Sequence, residues 1–201
     1  MKKIVIIPTY NEKENIAAII HAVIVLGNQY HVLVVDDGSP DGTASIVKGL
    51  MQEHPDKIFI QERKGKLGLG TAYIHGFKWA LANQYDYIFE MDADFSHNPL
   101  DLDRLLAACE NGADVAIGSR YVKGGATENW PLDRLIYSKG GSLYTRIITG
   151  MPVKDPTAGF MCYKHKVLAS MQLDNIKFIG YAFQIEMKFA SWRLGFKLKE
   201  V

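Results

Sequence analysis

Short apolar runs rich in β-branched residues alternate along this chain with longer stretches whose apolar positions recur at helical spacing. The runs predict strands at 3–7, 31–36, 57–61, 87–92 and 114–119. The stretches between them predict helices at about 12–26, 42–53, 69–83 and 100–111. Near-continuous apolar strands separated by helices imply a mostly parallel sheet covered on both faces. Asn11 with Glu14 fits a capping box for the first helix, and Asp41 fits a cap for the second. Beyond Arg120 the texture changes. Residues 123–129 lack periodicity and read as a mobile loop, and 130–150 has helical spacing interrupted by Gly140-Gly141. A helix is expected at 181–193 and a strand at 196–201, where stopping mid-strand suggests a truncated chain. The whole reads as one α/β domain over 1–201.

The composition, 48% hydrophobic and 22% charged, is that of an ordinary soluble protein. A net charge of +1 gives no global attraction to nucleic acid, so electrostatic partners must be read locally. Two cysteines are too few for a disulfide framework, and the six histidines form no metal-binding pair. No apolar run reaches about 18 residues, so no membrane-spanning helix is expected. The amino terminus reads as a strand rather than a signal peptide, which makes a cytoplasmic location the expectation.

Candidate chemistry gathers at the predicted strand ends. Asp92 and Asp94 stand one residue apart where the fourth strand closes, and residues at i and i+2 of a strand share a face. Ligands of open α/β sheets bind at that edge, and two carboxylates there suit a hard cation carrying phosphates. The first strand ends in Pro8-Thr9-Tyr10-Asn11-Glu12, offering an aromatic face and a carboxylate to a nucleoside. The second ends in Asp36-Asp37, whose adjacent charges repel unless something binds there. The fifth ends in Gly118-Ser119-Arg120-Tyr121, and an arginine there can face the same cleft and pair with a phosphate or carboxylate. No glycine-rich phosphate loop follows the first strand, and Gly65-Lys66-Leu67-Gly68-Leu69-Gly70 has the wrong spacing. A diphosphate would then be held by a metal.

These motifs, in this order, resemble the signature set of inverting family 2 glycosyltransferases with the GT-A fold. Asp92-Ala93-Asp94-Phe95-Ser96-His97, Gly118 through Gly125, and Asn129-Trp130 most resemble dolichyl- or polyprenyl-phosphate mannosyltransferases. The resemblance spans essentially the whole chain, with a nucleotide-binding part at about 1–120 and an acceptor-side part at about 121–201. It implies GDP-mannose as donor, a polyprenyl phosphate as acceptor, Mg²⁺ or Mn²⁺ as cofactor, and a peripheral place at the inner face of a membrane. It implies that Pro8, Tyr10, Glu12, Val35, Asp37, Asp92, Ala93, Asp94 and Arg120 form the nucleotide-sugar site. Asp92 and Asp94, with Ser96 more weakly, would hold the metal, and Asp92, Asp94, Arg120 and Arg134 would serve catalysis. Relatives continue past Val201 into a strand and a basic segment.

A phosphate acceptor is anionic already, whereas a hydroxyl acceptor needs a carboxylate base. Asp155 is the distal candidate for that base, so both acceptor classes stay open, the phosphate favoured. Interleaved basic and apolar residues over 130–150 suit a membrane interface as well as a packed amphipathic helix. Competing readings are another nucleotide sugar of the UDP-glucose type, a haloacid-dehalogenase-type phosphatase, a nicotinamide dehydrogenase, and a non-catalytic nucleotide-sugar binder.

Overall fold

The computed structural model describes residues 1–27, 29–122, 132–180 and 182–201, with the backbone alone over 132–139. Among the described residues seven strands form one sheet: β1 (Lys3–Thr9), β2 (His31–Asp36), β3 (Ile58–Glu62), β4 (Tyr87–Glu90), β5 (Val115–Ile117), β6 (Met161–Lys164) and β7 (Leu198–Glu200). Their order is β3-β2-β1-β4-β6-β5-β7, with only β6 antiparallel to its neighbours. The helices that accompany them are α1 (Ile16–Ile24), α2 (Thr43–Glu53), α3 (Leu69–Ala82), α4 (Leu102–Glu110), α5 (Leu132–Thr149), α6 (His165–Ala169) and α7 (Ala182–Arg193).

Strands β1 and β2 are apolar over Ile4–Ile7 and Val32–Val35 because both of their faces are covered. Val5, Ile7, Val32 and Val34 point into one core with α1, α2 and α4, while Ile4, Ile6, Leu33 and Val35 point into another with α3, α6 and α7. The parallel register aligns Thr9 with Asp36 and Asp36 with Glu62, so the strand ends form a single edge. Among the described residues no helix is long and apolar enough to cross a membrane.

Several expectations are corrected. β4 closes at Glu90, so Asp92 and Asp94 lie in the turn beyond it, and strand alternation is not what orients them. The Asn11–Glu14 capping box does not form. Asn11 takes φ 62° and gives its amide to Ser39, and α1 opens later, behind Asn15. Asp41 does accept the Thr43 amide at the head of α2, from one position outside Gly42. α5 runs unbroken through Gly140 and Gly141, since a helical glycine lowers propensity by only about 1 kcal/mol against alanine. β6 had no counterpart in the sequence pattern, and the segment 123–129 lies outside the described residues.

Candidate active site

The loops after β1 and β2 are laced together by side chains. Thr9 Oγ1 donates to Asp36 Oδ1 at 2.9 Å, and Asp36 also accepts the amide and hydroxyl of Ser39 at 2.9 and 2.6 Å. The amides of Asn11, Glu12 and Lys13 then donate in turn to Ser39 Oγ, Thr43 Oγ1 and Asp41 Oδ2. These acceptors run from the end of β2 through the turn to the first residue of α2, so that segment fixes the path of Pro8–Glu12. Tyr10 is left on the surface, 37% exposed, and Lys66 Nζ lies 4.7 Å from its ring centroid. Glu12 is half-buried and accepts from Asn15 Nδ2 at 3.1 Å. The Val35 side chain is packed in the core, which leaves only its backbone to meet a ligand.

The adjacent aspartates do not await a ligand to relieve their repulsion, as the sequence suggested. Asp36 is satisfied by hydroxyls and an amide. Asp37 is nearly buried against Arg63, whose Nε reaches Oδ1 at 2.6 Å, and its Oδ2 accepts the Leu67 amide at 3.2 Å. Arg63 also donates to Thr71 Oγ1 at 2.9 Å. Asp37 thus anchors the loop after β3 beside Tyr10.

Asp92 and Asp94 lie on a turn that includes Phe95 at φ 59°, a conformation uncommon for non-glycine residues. Tyr73 donates to Asp92 Oδ1 at 2.9 Å, and burial together with neighbouring carboxylates pushes its hydroxyl well above the ordinary range, so it stays a donor. The Ser96 amide donates to Asp94 Oδ1 at 2.9 Å. Burial raises the Asp94 carboxyl, but the hydrogen bonds from Ser96 outweigh that effect and hold it below its ordinary value. Ser96 therefore steadies Asp94. His97 stacks on Phe160 with centroids 4.9 Å apart, and its Nδ1 accepts the Asp92 amide at 3.3 Å. Burial lowers the ring's pKa against the pull of both aspartates, which favours the neutral form that this bond requires.

Gly159 completes the cradle. A methyl built on it would meet His97 Cε1 at 3.6 Å, Asp92 Oδ2 at 3.7 Å and Gln184 Nε2 at 3.8 Å. Gln184 is buried and donates to Glu90, and its Oε1 has no hydrogen-bond partner among the described residues. Beneath it Lys188, fully buried, donates to the carbonyls of Ala158 and Gln184.

Arg120 is held by Asp155. Its Nε and one terminal nitrogen reach the two carboxylate oxygens at 2.8 and 2.6 Å, its amide adds a bond of 3.0 Å, and Thr157 accepts at 2.7 Å. Asp155 is 0% exposed and its own amide is tied to Glu200. Burial pushes its carboxyl up, yet the bonds and charge of Arg120 prevail and keep it below the usual range. An inaccessible, firmly ionised carboxylate locked to a guanidinium cannot collect a proton from an acceptor, which removes Asp155 as a base. Arg134 lies in the first turn of α5, and its side chain is outside the described residues.

Asp92 and Asp94 supply two hard oxygen donors, and no group of three or more metal-capable side chains exists among the described residues. That donor set fits Mg²⁺ or Mn²⁺, which take few protein carboxylates and complete their shells with water and phosphate. Sequence reasoning did not find Arg63, Tyr73, Gly159, Gln184 or Lys188. Only Arg63 carried a signal, as a basic residue directly after a strand.

An acidic edge across three strand ends, two carboxylates on the turn after β4, and one antiparallel strand within a parallel sheet define a nucleotide-sugar transferase of the GT-A fold. The chain belongs to glycosyltransferase family 2, whose description, "Glycosyl transferase family 2", matches residues 4–171. It is 46% identical over its full length to 76% of the polyprenol monophosphomannose synthase of Mycolicibacterium smegmatis. It is 45% identical over its full length to 82% of the undecaprenyl-phosphate mannosyltransferase of Micrococcus luteus. The solved glucosyl-3-phosphoglycerate synthase of Mycobacterium tuberculosis, in complex with Mn²⁺, UDP and phosphoglyceric acid, shares the fold. Its TM-score is 0.69 at 19% identity, covering 100% of this chain and 68% of that one.

Proposed function

We propose that this chain transfers a mannosyl group from GDP-mannose to a polyprenyl phosphate, with inversion at the anomeric carbon. The observation that carries the acceptor assignment is the Arg120–Asp155 clamp, which takes up the carboxylate that the sequence offered as a base. A phosphate monoester needs none. Its oxygen attacks the anomeric carbon, the bond from that carbon to the diphosphate breaks, and GDP leaves with the electron pair. The relatives at 45–46% identity carry mannosyl transfer to polyprenyl phosphates in their names, which supports the sugar and the acceptor.

In this reading Tyr10 stacks on the base, and Glu12 and Asp37, the latter fixed by Arg63, meet the nucleoside. Asp92 and Asp94 hold Mg²⁺ or Mn²⁺, which when bound neutralises charge growing on the leaving diphosphate. Tyr73 and the Ser96 amide hold those carboxylates, and Arg120 and Arg134 serve the phosphates. The face of α5 bearing Leu143, Tyr144, Ile147 and Ile148 is exposed beside Arg146, a spacing suited to lying at the cytoplasmic surface of a membrane. The test offers GDP-mannose and UDP-glucose against vesicle-borne polyprenyl phosphate and a soluble saccharide. Lipid-extractable label from GDP-mannose is expected. Preferential transfer to the saccharide would refute the reading.

A further inference from the structure

A second apolar surface lies on the donor side of the edge, away from α5 in sequence and not needed by the chemistry above. Phe178 and Ile179 are 56% and 55% exposed, and Leu67 is 57% exposed, with Leu69 beside it. The two stretches form one patch. The Gly70 amide donates to the Ile179 carbonyl at 3.0 Å. A methyl on Gly70 would stand only 2.8 Å from the Phe178 carbonyl oxygen, so only glycine admits this approach. The patch also abuts the candidate nucleotide site, because the Leu67 amide bonds Asp37 and Lys66 lies over Tyr10.

Its exposed side chains are mainly basic. Lys64, Lys66 and Lys177 are exposed around it, and the nearby Glu186 carboxylate accepts the backbone amides of Lys177 and Phe178 at 2.9 and 3.0 Å. Resting on the lipid-acceptor reading, we infer that this patch is a membrane-contact surface that seats the mouth of the site on anionic lipid. Its occupant is an anionic bilayer surface. Four large apolar side chains ringed by lysines combine shallow insertion with attraction to lipid phosphates. A lipid-borne acceptor can reach Asp92 only from the bilayer plane, so an anchor at the rim of the same edge orients the cleft toward its substrate.

The test measures sedimentation with vesicles of phosphatidylcholine, with and without phosphatidylglycerol, and no acceptor present. Phe178→Ser with Ile179→Ser is expected to weaken binding at least about tenfold. Lys64→Gln with Lys177→Gln leaves the apolar packing alone and is expected to abolish the preference for phosphatidylglycerol. Both variants should transfer mannose to a short water-soluble prenyl phosphate as the unaltered protein does. Undiminished vesicle binding in both variants would overturn the inference, as would a dimer that the apolar substitutions convert to monomer. Failure of the parent reading looks different: the unaltered protein would then mannosylate no prenyl phosphate, soluble or membrane-borne.

Discussion

Replacing Asp155 with asparagine separates a clamp from a base. The carboxylate accepts bonds from the Arg120 amide, from Nε and from a terminal nitrogen, and it has no solvent exposure. Asparagine has one acceptor oxygen, and its NH₂ would face a guanidinium N–H. Breaking a buried pair from one side costs about 3–5 kcal/mol. The Arg120 side chain is 26% exposed and keeps Thr157 as an acceptor, so it recovers some hydration and the cost falls at the low end, about 3 kcal/mol. For a chain of this size that is a fall in Tm of roughly 6–12 °C. Urea and thermal unfolding should show it, and a double-mutant cycle with Arg120→Gln should return a large coupling. The kcat profile of the unaltered protein should show no limb assignable to Asp155, because Arg120 keeps that carboxyl ionised well below neutral pH. A stability loss under about 0.5 kcal/mol, the size of an ordinary surface substitution, together with a collapse of kcat and loss of an acidic limb would restore the base and refute the clamp.

Arg63→Met should weaken GDP affinity about as much as Asp37→Asn, because it strands a buried carboxylate; unchanged calorimetric affinity would show that Asp37 does not depend on Arg63. Burial raises the pKa of Glu90 from 4.5 to about 7, so the fold holds its proton where the unfolded chain has lost it. That contribution disappears as pH rises through this window. Glu90→Gln should flatten the decline in stability there, and an unchanged slope would exclude Glu90 as its source. Gly140→Ala with Gly141→Ala should raise helicity by circular dichroism, each adding up to about 1 kcal/mol of helix stability; a fall would mean that α5 breaks there.

The parallel strands were legible because strands buried on both faces leave unbroken apolar runs, as Ile4–Ile7 and Val32–Val35 do. β6 was not legible, because its partners β4 and β5 come from elsewhere in the chain and its four residues carry no period of their own. Asp92 and Asp94 stood out as an acidic pair beside a strand, although the turn after Glu90 orients them. The partners that set the chemistry were hidden by distance. Arg63 is 26 residues from Asp37, and Arg120 is 35 from Asp155. Asp155 therefore read as a free carboxylate, and Asp36-Asp37 as an unrelieved repulsion. Gly159 and Gln184 have ordinary neighbours in sequence, and only the packing of α7 beneath β4 and β6 gives them a place beside Asp92.

The most direct measurement is the structure of the product. Purified protein should be given GDP-mannose, Mg²⁺ and a short polyprenyl phosphate, and the lipid phase examined by mass spectrometry and NMR. The account predicts a single mannosyl phosphodiester of β configuration, opposite to the α linkage of the donor, absent with chelator and in Asp94→Ala. An α-linked product, a mannosylated hydroxyl, or full activity without divalent metal would contradict it.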